Sequence, residues 1–327
     1  MCSVGTCLDA SCPEFFDDWF HSRDSRALSG IGFFVFPFYG FRVFRGPFGI
    51  YLPSTMKFGI CNEIFKDWTI DDVFTYCARL GYDAVEIAPF TLAKSVGEIS
   101  AAERNRIRDA AKRAGIAISG LHWVLVQAEG MYLTSPDATT RERTADYFCQ
   151  LTDCCADLGG NIIVVGSPKQ RSLLQGVSLE QAWTWALEVF RPAVAVAARR
   201  GVTICFEPLP LEDTDFINTA ADAIRFTHEL SSPHFKVILD VRAMSHESKP
   251  IPQILRESRG EFAYVHANDK NLKGPGFGDV DFHPIAATLK EVGYDGMVSV
   301  EVFKFDEGPE VIATKSLEYL REVFGNV

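Results

Sequence analysis

Four side chains that could bind a metal or move a proton stand at or near the ends of apolar segments. Glu207 ends VTICFE, Asp240 ends FKVILD, His266 lies near the end of FAYVHA, and Glu301 lies in MVSVEVF. Three carboxylates gathered in a protein interior would repel one another, and a divalent cation resolves that conflict. Three oxygens and one imidazole nitrogen suit Mn²⁺, Mg²⁺ or Co²⁺. The four residue types therefore predict a divalent metal site, for which we favour Mn²⁺.

The spacing of these four residues indicates how they could meet. The steps from 207 to 240, from 240 to 266 and from 266 to 301 are 33, 26 and 35 residues. Each step is about the length of one strand, one helix and their loops, which is the unit of a parallel β/α array. Because neighbouring parallel strands end at the same edge, side chains at their ends converge there. We expect the metal site at the carboxyl-terminal mouth of a barrel.

The chain from Met56 onward contains enough units to close such a barrel. Strand candidates cover 57–61, 83–88, 117–122, 161–166, 202–207, 236–240, 262–267 and 297–303. Helical patterns alternate with them at 70–80, 101–114, 140–158, 179–199, 220–229, 251–259, 283–292 and 309–324. An open doubly wound sheet is the alternative, but the glycine-rich dinucleotide turn is missing after the first strand. The alternation predicts one α/β domain over 56–327, a single (β/α)8 TIM barrel.

Residues 1–55 differ in character from the barrel region. They contain three cysteines, an acidic aromatic patch and the run IGFFVFPFYGFRVF, which shows neither a helical nor a strand period. We expect an irregular N-terminal extension that is poorly ordered, or an upstream mis-assigned start. The alternative hypothesis is a hydrophobic arm used for packing or oligomerisation.

Composition narrows the classes of partner. The formal net charge is -11 and no basic block is present, which disfavours nucleic acid as a partner. No segment is long and apolar enough to span a membrane, and no secretory signal is recognisable. Nine cysteines without paired spacing indicate reduced thiols and a cytoplasmic location. We expect a small-molecule ligand, with no nucleic-acid or membrane partner; a homo-oligomer is compatible with the sequence.

The motifs around the four residues resemble those of a known superfamily. They are FEPL at Glu207, ILDV at Asp240, VHANDKN at His266, the following GPGFGDVDF, and SVEVF at Glu301. Together they resemble the xylose-isomerase-like TIM barrel superfamily of sugar and sugar-phosphate isomerases and epimerases, closest to its ketose 3-epimerase branch. The resemblance covers Met56 to the C-terminus. It implies that the four residues bind the metal and that Glu207 and Glu301 are also the catalytic acid/base pair.

The chemistry implied by this resemblance is proton abstraction beside a keto group. A cation chelated by the C2 carbonyl and C3 hydroxyl oxygens of a ketose would stabilise an enediolate. If Glu207 and Glu301 lie on opposite faces of that intermediate, one removes the proton and the other returns it, which inverts C3. An aldose–ketose isomerase could use the same metal site. The sequence therefore predicts a metal-dependent sugar epimerase or isomerase.

Four further residues are candidates for substrate binding. Glu86 and His122 end the second and third strand candidates, Trp123 could form an apolar wall for a sugar face, and Arg242 follows the sixth strand. Many ketose 3-epimerases have a substrate-holding histidine three residues after the strand-six aspartate, whereas this chain has Ala243 there. The particular ketose is therefore open, and Arg242 suggests a modified or anionic sugar.

Three other functions are compatible with this type of barrel. A lyase of the inosose-dehydratase type would abstract the same proton and then expel water. A DNA-repair endonuclease of the endonuclease-IV type would need a multi-zinc cluster and a basic surface, which seven histidines and a charge of -11 disfavour. A non-catalytic sugar-binding barrel is the remaining alternative.

Overall fold

The computed structural model describes residues 56–325, and the predicted extension at 1–55 lies outside this range. Eight strands form a closed barrel in which each strand pairs in parallel with the next, and β8 closes the ring against β1. The strands are β1 Lys57–Cys61, β2 Ala84–Ile87, β3 Ala117–Leu121, β4 Ile162–Val165, β5 Thr203–Phe206, β6 Phe235–Asp240, β7 Phe262–Ala267 and β8 Met297–Val300. The predicted eight-unit α/β barrel is confirmed.

Helices follow the strands and cover the outside of the barrel. They are α1 Ile70–Leu80, α2 Ala101–Ala114, α3 Ala138–Leu158, α4 Leu179–Arg200, α5 Ala220–His228, α6 Val241–Met244, α7 Ile251–Glu257, α8 His283–Glu291 and α9 Pro309–Gly325. The sequence does not predict α6, because four residues are too few to show a helical period. Within residues 56–325, no helix is both long and apolar enough to cross a membrane.

Side-chain caps and left-handed glycines explain where several helices begin and end. Thr69, Ser100 and Ser178 each accept a hydrogen bond from a backbone N–H in the first turn of α1, α2 and α4. Gly81 and Gly159 follow α1 and α3 with φ of 94° and 90°, a conformation that glycine adopts without strain. These stops lie a few residues before the next strand. They therefore help to set the points at which the strands begin.

Apolar side chains fill two spaces around the barrel. The larger cluster packs the strands against the helices and includes Phe190, Phe206 and Phe226, whose ring centroids lie 4.9–6.1 Å apart. A smaller cluster consists only of strand residues and fills the barrel interior: Ile162, Val164, Cys205, Ile238 and Tyr264. The barrel interior is a packed core rather than a pore, and we expect a ligand at its mouth.

Gly120 in β3 tests how closely the barrel strands pack. A β-carbon at this position would overlap the backbone carbonyl oxygen of Ile162 on β4. We expect Gly120→Ala to lower the free energy of unfolding by about 3 kcal/mol, because a backbone clash cannot be relieved by a side-chain rotation. The measurement is urea-induced unfolding. Gly325→Ala is the matched control, since no atom lies within 4 Å of its added β-carbon, and equal effects of the two substitutions would contradict the packing argument.

Candidate metal centre

The structure brings the four predicted ligands together at the carboxyl-terminal mouth of the barrel. Glu207 and Glu301 directly follow β5 and β8, Asp240 ends β6, and His266 is the fifth residue of β7. One ligand atom from each lies within 4.8 Å of the other three, and all four side chains are buried. We call these four residues the cage.

The cage fits a divalent cation by its own chemistry. Nδ1 of His266 and Oε2 of Glu301 lie 3.0 Å apart, yet neither has a hydrogen-bond partner although both are buried. Buried polar atoms are rarely left without a partner unless an ion or water satisfies them. Gly166 leaves room for the cage, since a β-carbon there would overlap Oε2 of Glu207. Three carboxylates and one imidazole form the donor set that Mn²⁺, Mg²⁺ or Co²⁺ accepts.

Glu86 orients His266 within the cage. Its Oε2 lies 3.1 Å from Nε2 of His266 in a hydrogen bond between two fully buried side chains. The thiol of Cys61 also donates to Oε2 of Glu86, at 3.5 Å. A carboxylate on the outer nitrogen fixes the ring of a metal-binding histidine and leaves the other nitrogen for the ion. Glu86 is not among the residues that line the cavity, which suits a positioning role, and its contact with a substrate stays a prediction.

Trp123 holds Glu301 from the β3 side, and the ring of His122 lies beside the same carboxylate. Nε1 of Trp123 donates to Oε1 of Glu301 at 2.8 Å, and Nδ1 of His122 lies 3.5 Å from the same oxygen. The other ring nitrogen of His122 lies 3.0 Å from Oε2 of Glu63. His122 is fully buried and, like Glu86, is placed against the cage rather than at the cavity surface. Trp123 lines the cavity, as a residue that packs against a sugar face must.

Sequence reasoning missed Glu63. This residue lies in a 3-10 turn, Asn62–Ile64, directly after β1, and its side chain is buried. The signal that identified the cage, an acidic residue at the end of an apolar strand, is also present in KFGICNE. The same rule applied to the first strand could therefore have found it.

Asn268 and Arg171 were also missed, and each supports one cage residue. Asn268 donates to Oδ2 of Asp240 at 2.5 Å, while Oδ1 of Asp240 caps α6 by accepting from the N–H of Ala243 at 2.7 Å. Arg171 is fully buried and donates through Nη1 to the backbone carbonyl of Glu207 at 2.6 Å. Burial lowers the pKa of Arg171 to about 10, and its cation partly offsets the charge of the cage.

The pKa shifts of the cage show the repulsion that a cation would remove. Burial, and then the charges on Glu301 and Asp240, raise the pKa of Glu207 well above its ordinary value. Burial and the charge on Glu301 raise the pKa of Asp240 to about 6. Burial alone would also raise the pKa of Glu301, but the neighbouring His266 and His122 hold it far below its usual range. The three carboxylates are therefore not all readily ionised together in the metal-free protein.

A cavity of about 470 Å³ opens above the cage, and both cage glutamates line it. Trp123 forms part of its wall and lies between the rings of Phe90 and Phe303, at centroid distances of 6.0 and 5.8 Å. Pockets of this size commonly bind small molecules, and this one gives a ligand access to Glu207 and Glu301.

Arg242 lines the same cavity, but its guanidinium is already paired. Nη1 lies 2.7 Å from Oδ2 of Asp213 and Nη2 lies 2.7 Å from Oε1 of Glu212, both on the loop after β5. Its backbone N–H donates to Oδ1 of Asn268 at 2.8 Å. Two carboxylates compensate its single charge, which disfavours an anionic sugar, and contact of Arg242 with the substrate stays a prediction.

Comparison with known proteins shows a family match over most of the barrel and sequence relatives that are named epimerases. The family model described as xylose isomerase-like TIM barrel matches residues 74–323. A 3-dehydro-D-guloside 4-epimerase of Escherichia coli (strain K12) is 28% identical over 273 residues, which cover 81% of this chain and 99% of the relative. A D-psicose 3-epimerase of Ruminiclostridium cellulolyticum is 26% identical over 253 residues, which cover 76% of this chain and 84% of the relative.

Two solved structures resemble the barrel closely. The 3-keto-D-glucoside 4-epimerase from E. coli has a TM-score of 0.72 at 26% identity, covering 82% of this chain and 100% of that chain. The D-psicose 3-epimerase from Clostridium cellulolyticum, solved with D-tagatose, has a TM-score of 0.73 at 23% identity, covering 82% and 99%. The latter likeness supports the fold alone. The sequence relatives are named epimerases, which are isomerase-class enzymes, and the prediction of an isomerase is confirmed at that level.

The raised pKa values of the cage predict how pH changes the stability of the metal-free protein. The pKa of the Asp240 carboxyl rises from 3.8 to about 6 on folding, so the folded protein binds this proton more tightly than the unfolded chain does. The stabilisation that results is complete below pH 3.8 and is lost as the pH rises through about 6. Glu207 acts in the same direction. We expect a lower urea midpoint at pH 8 than at pH 5, and recovery at pH 8 when Mn²⁺ is added.

Two substitutions separate the cage from other ionisable groups. Glu207→Gln removes one carboxyl of the cage, and it should reduce both the difference between pH 5 and pH 8 and the response to Mn²⁺. Glu318→Gln makes the same change at an exposed position on α9 and should leave both unaltered. An unchanged pH dependence in Glu207→Gln would contradict the assignment.

Proposed function

The chain belongs to the xylose isomerase-like TIM barrel family, and from that premise we propose that it is a metal-dependent sugar epimerase. Its sequence relatives carry the names of epimerases that act at C4 of a 3-dehydro-guloside or at C3 of a ketohexose. In both names the reacting carbon is next to a keto group. The reaction proposed for this chain is therefore removal and return of a proton on the carbon beside a sugar ketone.

The position of the two cage glutamates around the barrel carries this proposal. Glu207 follows β5 and Glu301 follows β8, and these strands are three places apart in a ring of eight. Side chains that enter from such separated strands approach the centre of the mouth from different sides. A substrate held between them can lose a proton to one carboxylate, and the planar intermediate formed can then take a proton from the other carboxyl on its opposite face, which inverts the carbon.

The cage would also hold the metal ion, with Mn²⁺ as the proposed ion. When bound there, a divalent cation would polarise the keto oxygen and stabilise the negative charge that develops on it. Trp123 fixes Oε1 of Glu301 by its indole N–H, which keeps the carboxylate in one orientation. Arg171, on the loop after β4, donates to the backbone carbonyl of Glu207 and so restrains its position. These contacts pre-position the two proton carriers before a substrate arrives.

Deuterium incorporation tests the proposed reaction. The Mn²⁺-loaded protein is incubated in D₂O with D-psicose, D-tagatose, L-ribulose and methyl 3-keto-D-glucoside, and the products are followed by mass spectrometry and NMR. We expect at least one substrate to gain one deuterium at the carbon beside the ketone, with inversion. Glu207→Gln and Glu301→Gln should each lower the rate by about 100-fold or more, whereas the exposed Glu318→Gln should keep the parent rate.

Other outcomes would point to other functions. Loss of water from the substrate would indicate a lyase, and a shift of the keto group to a neighbouring carbon would indicate an isomerase. Substrate binding without any exchange, unaltered in both glutamine variants, would indicate a sugar-binding protein. Each of these results would contradict the epimerase proposal.

A further inference from the structure

The cavity above the cage has an apolar side that the proton chemistry does not use. Val126, Leu209, Leu272 and Phe303 line it together with Trp123. We call the first four residues the apolar wall. Val126 is 37% exposed, one of the few large hydrophobic side chains left open to solvent within residues 56–325. An apolar surface inside a ligand cavity is stabilised when a ligand covers it.

Leu272 occupies a backbone conformation that is costly for leucine. Its φ is 71°, in the left-handed region, where a residue with a branched side chain loses about 1–2 kcal/mol. Its carbonyl accepts hydrogen bonds from the N–H groups of Phe303 and Lys304, at 2.9 and 3.0 Å, and so joins the loops after β7 and β8. Glycine or asparagine could make the same backbone bonds with less strain. The leucine side chain at this position therefore has a use in the cavity.

Leu272 is not alone in this strain. Trp123, Gln127 and Ser167 also line the cavity, and their φ values are 50°, 64° and 46°. With Leu272 they account for four of the seven non-glycine residues with positive φ in the part of the chain that the structure describes. Strained residues that gather around one cavity are typical of a binding site whose shape is set in advance.

The charges beside the apolar wall disfavour an anionic ligand. Arg242 is bound by Asp213 and Glu212, so this group carries one excess negative charge. Asp213 itself lines the cavity and would repel a phosphate or carboxylate. The other cation of the lining, Lys169, is exposed, and the attraction of an exposed ammonium group is weakened by solvent and salt.

We propose that the apolar wall binds an apolar substituent of an uncharged sugar, so that the substrate is a glycoside rather than a free or phosphorylated ketose. This inference rests on the proposed function for the location of the sugar ring, which lies against Trp123 and the cage. The substituent at the far end of the sugar then covers Leu272 and its neighbours. Burial of that substituent supplies binding energy that a free monosaccharide lacks.

Binding of stable probes tests the proposal without turnover. The Mn²⁺-loaded protein is titrated by calorimetry with phenyl β-D-glucoside, methyl β-D-glucoside and D-glucose 6-phosphate. We expect the phenyl glucoside to bind at least about tenfold more tightly than the methyl glucoside, which corresponds to about 1.4 kcal/mol. The phosphate ester should bind more weakly than either.

Leu272→Asn is the decisive variant. Asparagine accepts the left-handed backbone, so the loops should keep their hydrogen bonds and the thermal midpoint should not fall. Its polar side chain should reduce the preference for the phenyl group to less than about threefold. Leu211→Asn makes the same change at a leucine that is 76% exposed and does not line the cavity, and it should keep the parent preference.

Equal binding of the phenyl and methyl glucosides, no binding of either, or tightest binding of the phosphate ester would overturn the proposal. So would an unchanged preference in Leu272→Asn. These results are distinct from failure of the proposed function. If the phenyl preference is retained but no deuterium is exchanged, the apolar wall is supported and the epimerase proposal is rejected. If deuterium is exchanged without a phenyl preference, the epimerase proposal is supported and the apolar wall is rejected.

Discussion

The mutual repulsion of three carboxylates at the mouth of the barrel is the constraint on which the rest of the site depends. Glu207, Asp240 and Glu301 are buried and have one ligand atom each within 4.8 Å of the others. Charges this close in a protein interior are costly unless they are protonated or compensated. A divalent cation would compensate the charges of all three carboxylates and would also provide a partner for Nδ1 of His266, which has no hydrogen bond.

Each of the residues around the cage restricts the position or orientation of one cage residue. Glu86 fixes the ring of His266, Trp123 fixes one oxygen of Glu301, and Arg171 holds the backbone at Glu207. All of these contacts join different strands or loops of the barrel. The cage is therefore held by the closed ring itself, and a change in strand packing would move the ligands as well as destabilise the fold.

The fold and the cage could be predicted because both follow from local patterns. Apolar strands that end in Glu207 or Asp240 are visible in the sequence, and the repeated unit length places such ends at one rim. The support of the cage could not be predicted in the same way. Arg171 binds the backbone of Glu207, 36 residues later in the chain, and Arg242 binds Asp213, 29 residues earlier. No periodic pattern in the sequence indicates such contacts between loops. In the sequence, Arg242 looks like a cation available to an anionic sugar, because its acidic partners become apparent only in the folded chain.

Anomalous diffraction at the manganese absorption edge, from crystals grown with Mn²⁺, would show whether the cage binds the ion. We expect one strong peak among the carboxylates of Glu207, Asp240 and Glu301 and Nδ1 of His266. A peak elsewhere, or no peak in crystals of a protein that remains fully active after exhaustive chelation, would contradict this expectation.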